Sequence, residues 1–236
     1  PYNARNHEYY SEDAVLTSGQ AVAFISGGKE YGVIIAPKHL AFNDTEINRT
    51  GVSVFMTEQQ ARENELRGTQ AAIEDAGALG VMTAFNRVGI TATNAHTGLL
   101  KNILRGEWGF KGLESQDFIM NPNYAVLKEY ALNGGTMTTF TGENTMAAVS
   151  EKFAYWTTEN VGQDTELMSA IKQAMTWQAY ALANSNALDG MASSTRLVSV
   201  RTWYDKALVA VQVVFAALTV LAAAMYVLND RKSKKQ

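Results

Sequence analysis

The sequence predicts an α/β protein: about four strand–helix units of a partial (β/α)8-type barrel, then helices, then one C-terminal transmembrane helix. Three observations predict it. Short apolar runs alternate with longer helical patterns over residues 11–138, the grammar of a parallel sheet or barrel. Polar residues gather just after those apolar runs. Residues 207–228 carry no formal charge.

In chain order, residues 11–28 read as a helix, with Ser11 as N-cap and Gly27-Gly28 as its stop. Residues 32–36 form a short buried-strand pattern. Residues 57–75 are a strong helical pattern, capped by Thr57 and followed by Gly77. Residues 80–85 read as a strand, 97–108 as a helix, 112–117 as a third strand and 122–132 as a helix. A fourth strand is expected at 135–138. Residues 143–185 look entirely helical, with Asp164 or Thr165 opening the second helix.

A full barrel takes about 250 residues, so four units amount to roughly half of one. The expected division is a partial barrel over 1–142, a helical extension over 143–200, a transmembrane helix over 201–230 and a basic tail over 231–236. Lys38 and His39 follow the first strand, Phe85, Asn86 and Arg87 follow the second, and Asp117 ends the third. In a parallel barrel that rim is where active sites are built.

Within 207–228 the clearly polar residues are Gln212 and Thr219. About 20 apolar residues cross a hydrocarbon core of roughly 30 Å. Trp203, Tyr204 and Tyr226 flank the run as interfacial aromatics do. Arg231, Lys232, Lys234 and Lys235 favour a cytoplasmic C-terminus, which puts residues 1 to about 200 outside the cell. Arg196, Arg201 and Lys206 pull against that orientation. The alternative is a buried C-terminal helix of a soluble core.

Of 236 residues, 47% are apolar, enough for a sizeable core, and the net charge of −3 argues against a nucleic-acid partner. The absence of cysteine removes disulfides, thiolate metal sites and cysteine nucleophiles. The three histidines, His7, His39 and His96, are far apart, with no HExxH, P-loop or G-x-G-x-x-G pattern, so no metal or cofactor is implied. The chain begins at Pro1 rather than Met, which suggests a fragment or a processed chain.

Five stretches resemble one family. Arg5-Asn6-His7-Glu8-Tyr9-Tyr10-Ser11-Glu12-Asp13 resembles G-R-x-x-E-x-Y-S-E-D, with Ala4 at the glycine. Pro37-Lys38-His39-Leu40-Ala41-Phe42-Asn43-Asp44, with Glu46 and Arg49, resembles K-H-F-A-x-N. Val81-Met82-Thr83-Ala84-Phe85-Asn86 resembles M-x-S-Y-N. Leu99-Leu100 through Leu104-Arg105 to Glu107-Trp108-Gly109-Phe110-Lys111-Gly112 resembles L-L-x-x-x-L-R-x-E-W-G-F-x-G. Gln116-Asp117-Phe118 stands where a strand ends in S-D-W. In this order and spacing they resemble glycoside hydrolase family 3, the β-glucosidase type. A fainter likeness at 184–190 is to circularly permuted members, in which a membrane helix can close the chain.

The resemblance implies the second half of a catalytic barrel that hydrolyses terminal β-linked glucose, or a similar sugar, with retention. Such enzymes use two carboxyl groups about 5–5.5 Å apart. It implies Asp117 as nucleophile, Lys38, His39 and Arg5 as sugar-binding donors, and Met82, Phe85 and Phe118 as pocket walls. Taken alone, Asp117 could merely end a strand or cap a turn, Lys38-His39 could be a solvated loop and Arg5 a surface charge. Phe85 replaces the usual Tyr, Phe118 the usual Trp and Gln116 a Ser or Thr, and Thr136 sits where an acidic residue is customary. Glu114 interrupts an apolar strand, where a charge is costly unless paired. Glu46 and Arg49 are expected as an ion pair behind Lys38. No residue is assigned the acid/base. The expected partners are a β-glucoside or oligosaccharide, membrane lipid, and a missing catalytic portion or partner chain; the chain alone should be inactive. Two other functions stay open: an inactive membrane-anchored sugar-binding or scaffolding protein, and a purely structural membrane protein.

Overall fold

The structure, a computed structural model, describes residues 5–49, 51–118, 126–139, 154–191, 194–196, 198, 200 and 202–234. The chain separates into two compact units, Pro1–Gly190 and Met191–Gln236.

In the first unit, helix α1 spans Ala14–Lys29. Asp13, not Ser11, is its N-cap, accepting the Leu16 N–H at 2.7 Å. Ser11 contributes one turn earlier: its hydroxyl accepts the Asp13 N–H, and its carbonyl accepts from the Thr17 hydroxyl. Both residues are good caps by type, and the path of the chain into the helix selects between them.

The 32–36 stretch makes no ladder. Gly32 sits at φ +70, and pairing to the next strand begins only further on. Met82 donates to the Pro37 carbonyl, Leu40 to that of Met82, and Ala84 to that of Leu40. The rim residues Lys38 and His39 therefore lie within the paired stretch rather than after it.

Strand β1 (Ser53–Val54) precedes α2 (Glu58–Gln60), which runs on as a π-helical stretch, Ala61–Glu65, and then α3 (Arg67–Glu74). Thr57 caps it with a full capping box through Gln60. Gly77, at φ +63, lets the chain turn back after α3. Strand β2 is Gly80–Thr83, shorter than expected, because the chain leaves it for the β3 (Arg87–Val88) and β4 (Thr91–Ala92) hairpin. β1 pairs with β3 in parallel. Periods this short leave no pattern in sequence.

A π-helix, Gly98–Glu107, leads to β5 (Leu113–Gln116), which pairs parallel with β2. Gly112 is required there, since a Cβ would stand 2.3 Å from the Leu79 carbonyl oxygen. Helix α4 covers Leu127–Leu132. The start of the expected 122–132 helix lies outside the described residues. The fourth expected strand is a single parallel bridge from Met137 to Ser115.

α5 (Thr158–Gln163) and α6 (Thr165–Ala183) follow, α6 being capped by Asp164. Residues 143–153 of the expected helical stretch lie outside the described set. α6 is tied to the strands. Gln178 donates to the Thr136 carbonyl at 2.6 Å, and the Arg105 guanidinium lies 3.8 Å from the Trp177 ring centre. Residues to Gly190 therefore share one unit with the sheet. Leu66, Ile73, Val81, Leu100, Leu104 and Phe110 centre the core between strands and helices.

The second unit is helix α7, Trp203–Ser233. Within Trp203–Asp230 an 18-residue window reaches a mean hydropathy of 2.4, and the helix is exposed along its length. It is long and apolar enough to cross a membrane.

Candidate active site

Asp117 directly follows β5, and its N–H donates to the Thr83 carbonyl of β2 at 3.0 Å. That bond fixes the residue on the rim. Its side chain is buried, with the two oxygens used differently. Oδ1 accepts the Phe118 N–H at 2.8 Å, the local cap that a strand-terminal aspartate can make in any fold. Oδ2 lies 3.2 Å from Nε2 of His39.

Arg5 Nη2 stands 3.2 Å from the same His39 Nε2. Arginine only donates and a carboxylate only accepts, so this one nitrogen satisfies one neighbour at a time. His39 Nδ1 and Asp117 Oδ2 are buried without a hydrogen bond in good geometry. Burial acts to raise the Asp117 pKa. The facing His39, the Phe118 N–H and the positive charge of Arg49 outweigh it, and the pKa falls below the ordinary carboxylate value. An ionised, held carboxylate is what a nucleophile requires.

Behind this trio runs an alternating chain of charge. Arg5 is only 4% exposed, which rules out a surface charge. It holds Glu46 Oε1 at 2.5 Å and Glu8 Oε2 at 3.1 Å. Lys38 Nζ reaches the same Glu8 oxygen at 2.6 Å, and Arg49 reaches Glu46 at 3.2 Å. The expected Glu46–Arg49 pair is present, but it stands behind Arg5; the partner of Lys38 is Glu8. Lys38 and then Arg5 hold the Glu8 carboxyl down at about 2, against the opposing effect of burial.

Arg49 also lies over the Phe85 ring, 4.6 Å from its centre. Sequence reasoning treated Arg49 only as a supporting ion; its place in the Glu46 loop hid its approach to Asp117. Met82 is half-buried in β2, in register with Ser115. Phe118, 44% exposed, adjoins Asp117 without closing over it. Among the described residues, no cluster of three or more His, Cys, Asp or Glu could hold a metal.

Beneath the rim, on the helix-facing side of β5, Glu114 is fully buried. The Tyr130 hydroxyl donates to the Glu114 and Met137 carbonyls, and that of Thr83 to Ser115, so neither Glu114 carboxylate oxygen gains a hydrogen bond. Burial raises its pKa to about 7, only partly offset by its neighbours Tyr130 and Arg105. Gln116 is held by Asn94 at 2.7 Å. Thr136, where an acid is customary, bonds both the N–H and the carbonyl of Glu114.

The glycosyl hydrolase family 3 N-terminal domain model matches residues 1–153. The chain is 39% identical over 118 residues to the probable β-glucosidase J of Emericella nidulans, covering 50% of this chain and 14% of that protein. It is 40% identical over 116 residues to a β-glucosidase of Rhizobium radiobacter, covering 49% and 14%. The chain thus spans about one-seventh of the length of these curated relatives. Among solved structures, β-glucosidase 3B from Thermotoga neapolitana, in complex with glycerol, superposes with a TM-score of 0.68 at 27% identity. That match covers 79% of this chain and 26% of the other. A β-glucosidase from Paenibacillus barengoltzii gives 0.67 at 26% identity, covering 84% and 22%.

Proposed function

Because the chain belongs to glycosyl hydrolase family 3, we propose that it carries the nucleophile half of a retaining, β-glucosidase-like active site. The observation that carries this is the buried Asp117 carboxylate facing His39 beside Arg5, on the rim formed by β2, β5 and the 37–40 stretch. Asp117 attacks the anomeric carbon of a terminal β-glucoside as the bond to the aglycone oxygen breaks and the acid/base protonates that oxygen; the glycosyl-enzyme is then cleaved by water, which gives its proton back to the acid/base. Lys38, His39 and Arg5 donate to sugar hydroxyls. A bound hydroxyl also relieves the conflict at His39, since Nε2 need no longer serve both Arg5 and Asp117. Met82, Phe85 and Phe118 wall the pocket, and His39, the Phe118 N–H and, last, Arg49 keep Asp117 ionised.

The acid/base comes from outside this set. Glu8 is bound to two cations, and a carboxyl held near 2 cannot donate a proton at neutral pH; Glu46 is engaged by both Arg5 and Arg49. The chain is therefore inactive alone and requires the remaining barrel and a carboxylic acid from it or from a second domain. Residues 1–142 form the barrel half and 143–200 its helical extension. Residues 201–230 anchor the protein in a membrane, with 231–236 cytoplasmic and the site outside the cell.

The test is to treat the protein, completed by its remaining catalytic portion, with a 2-deoxy-2-fluoro-β-glucoside and map the labelled peptide. Label on Asp117 is expected. Label on another carboxylate ends the assignment. One observation favours the rival reading of a sugar-binding protein without turnover: Phe118 and Phe85 supply neither the larger ring nor the hydroxyl of the family pattern. Glucose binding with no labelling would establish that rival.

A further inference from the structure

Gln212 and Thr219, the clearly polar residues inside the apolar run of α7, have so far no role. They stand seven residues apart, and seven more lead to Tyr226. Ala216 and Ala223 follow the first two of these by four residues, and Val209 precedes Gln212 by three. The series Val209, Gln212, Ala216, Thr219, Ala223, Tyr226 therefore alternates steps of three and four. That spacing is a heptad seam, with Val209, Ala216 and Ala223 at one core position and Gln212, Thr219 and Tyr226 at the other. On a helix the whole series falls within an arc of roughly 100°, and it spans about 26 Å of the axis. The opposite side of α7 presents the bulky apolar residues Val214, Leu218, Leu221, Met225 and Leu228. Every polar side chain of the run thus lies on one stripe.

In hydrocarbon that stripe needs a neighbour. The Thr219 hydroxyl is satisfied within its own helix, where it donates to the Phe215 carbonyl at 2.8 Å. Gln212 is different: among the described residues its side chain has no hydrogen-bond partner. A carboxamide facing lipid tails leaves two donors and an acceptor unpaired, which is costly in a medium that offers neither.

The chemistry of Gln212 selects the partner. A carboxamide both donates and accepts, so it is complementary to itself. Two copies related by a two-fold axis exchange a pair of equivalent hydrogen bonds, and parallel insertion puts both amides at the same depth. A different helix would have to supply a polar group at that one depth. Among the described residues, α7 is the one helix long and apolar enough to cross a membrane, so no other described span of this chain can cover the stripe. Ala216 and Ala223 keep the seam narrow, which lets two backbones approach closely. Asp205 and Asp230 continue the stripe beyond the apolar run, in water, where salt screens like charges, and Lys234 pairs with Asp230 at 2.8 Å. We propose that α7 pairs in parallel with the α7 of a second copy of this chain along the Val209–Tyr226 seam, with Gln212 hydrogen-bonded to its counterpart across the two-fold axis. A seam of this period wraps the two helices in a left-handed sense at about 20°. The pairing rests on the reading of α7 as a membrane span.

The chain has no cysteine, so single cysteines report contacts without background. The full chain is reconstituted in vesicles of phosphatidylethanolamine and phosphatidylglycerol and oxidised with copper phenanthroline. Ala216→Cys and Ala223→Cys are expected to form disulfide dimers at least about tenfold faster than Val214→Cys and Leu221→Cys on the far side. Gln212→Leu should raise the protein-to-lipid ratio needed for half-association about tenfold, and Gln212→Asn, which keeps the amide, should restore most of the pairing. Equal cross-linking on both sides, cross-linking on the Val214–Leu221 side alone, or a Gln212→Leu chain that associates like the parent overturns the proposal. Flotation with the vesicles reads the membrane span separately. A chain that floats but stays monomeric keeps the span and defeats the seam. A chain that cross-links at Ala216→Cys and Ala223→Cys without floating keeps the seam and defeats the span.

Discussion

Glu114→Gln is the perturbation whose outcome the structure specifies most fully. Folding carries this carboxyl from the ordinary glutamate value of 4.5 to about 7, first through burial. The folded state thus keeps the proton up to about pH 7, while the unfolded chain releases it near 4.5. The stability associated with the neutral group is complete below pH 4.5 and is lost as pH rises to about 7. That interval, at about 1.4 kcal/mol per pH unit, amounts to about 3 kcal/mol. Glutamine has the same shape and never ionises. The variant should match the parent below pH 4.5, exceed it by about 1 kcal/mol at pH 5 and by about 3 kcal/mol at pH 8. Urea unfolding of the full chain in detergent, followed by tryptophan fluorescence at pH 5, 6, 7 and 8, measures this. Parallel stability curves for the two proteins would refute the reasoning. They would mean that Arg105, which lies near enough to favour the charged form, fully compensates the buried carboxylate.

Three other outcomes follow from single contacts. Arg105→Ala removes bonds to the Phe110, Gly112 and Gly134 carbonyls and the stack on Trp177; a loss of about 3 kcal/mol and a red shift of tryptophan emission are expected. Gly112→Ala drives a methyl group onto the Leu79 carbonyl at the start of β5, so it should cost more than about 3 kcal/mol, or prevent soluble expression, where Gly19→Ala at an open helical position costs nothing. Asp13→Ala removes the α1 cap and should cost about 1 kcal/mol by urea unfolding, while Ser11→Ala costs less than half as much.

Much of the fold was legible because it is written in local periods. The runs at 80–85 and 112–117 contain β2 and β5, and Thr57 and Asp164 cap the helices their types favour. The 32–36 run was misplaced because apolar residues signal extension, not the register at which a partner is met; pairing starts at Pro37. The β3–β4 hairpin and the π-helical turns escaped notice, since two-residue strands and a fifth-neighbour hydrogen bond leave no distinct spacing. In the site, the motif series pointed to Asp117, Lys38, His39 and Arg5 one by one. It did not reveal that Glu8 joins Lys38 to Arg5, or that Glu46 joins Arg5 to Arg49.

By itself, the sequence determined the strand–helix alternation, the family, the apolar C-terminal run and the identity of the rim residues. Each depends on side-chain type at short spacing along one segment. Only the tertiary structure decided what those side chains face. It put Arg5 out of water, turned one oxygen of Asp117 toward His39 and the other to its own backbone, and buried Glu114 beneath the rim. Most of these depend on contacts between residues tens of positions apart in the chain, such as Lys38 with Glu8, Arg5 with His39 and His39 with Asp117. The free energy of a charge is set by such neighbours and by exclusion of solvent, and neither is a property of local sequence.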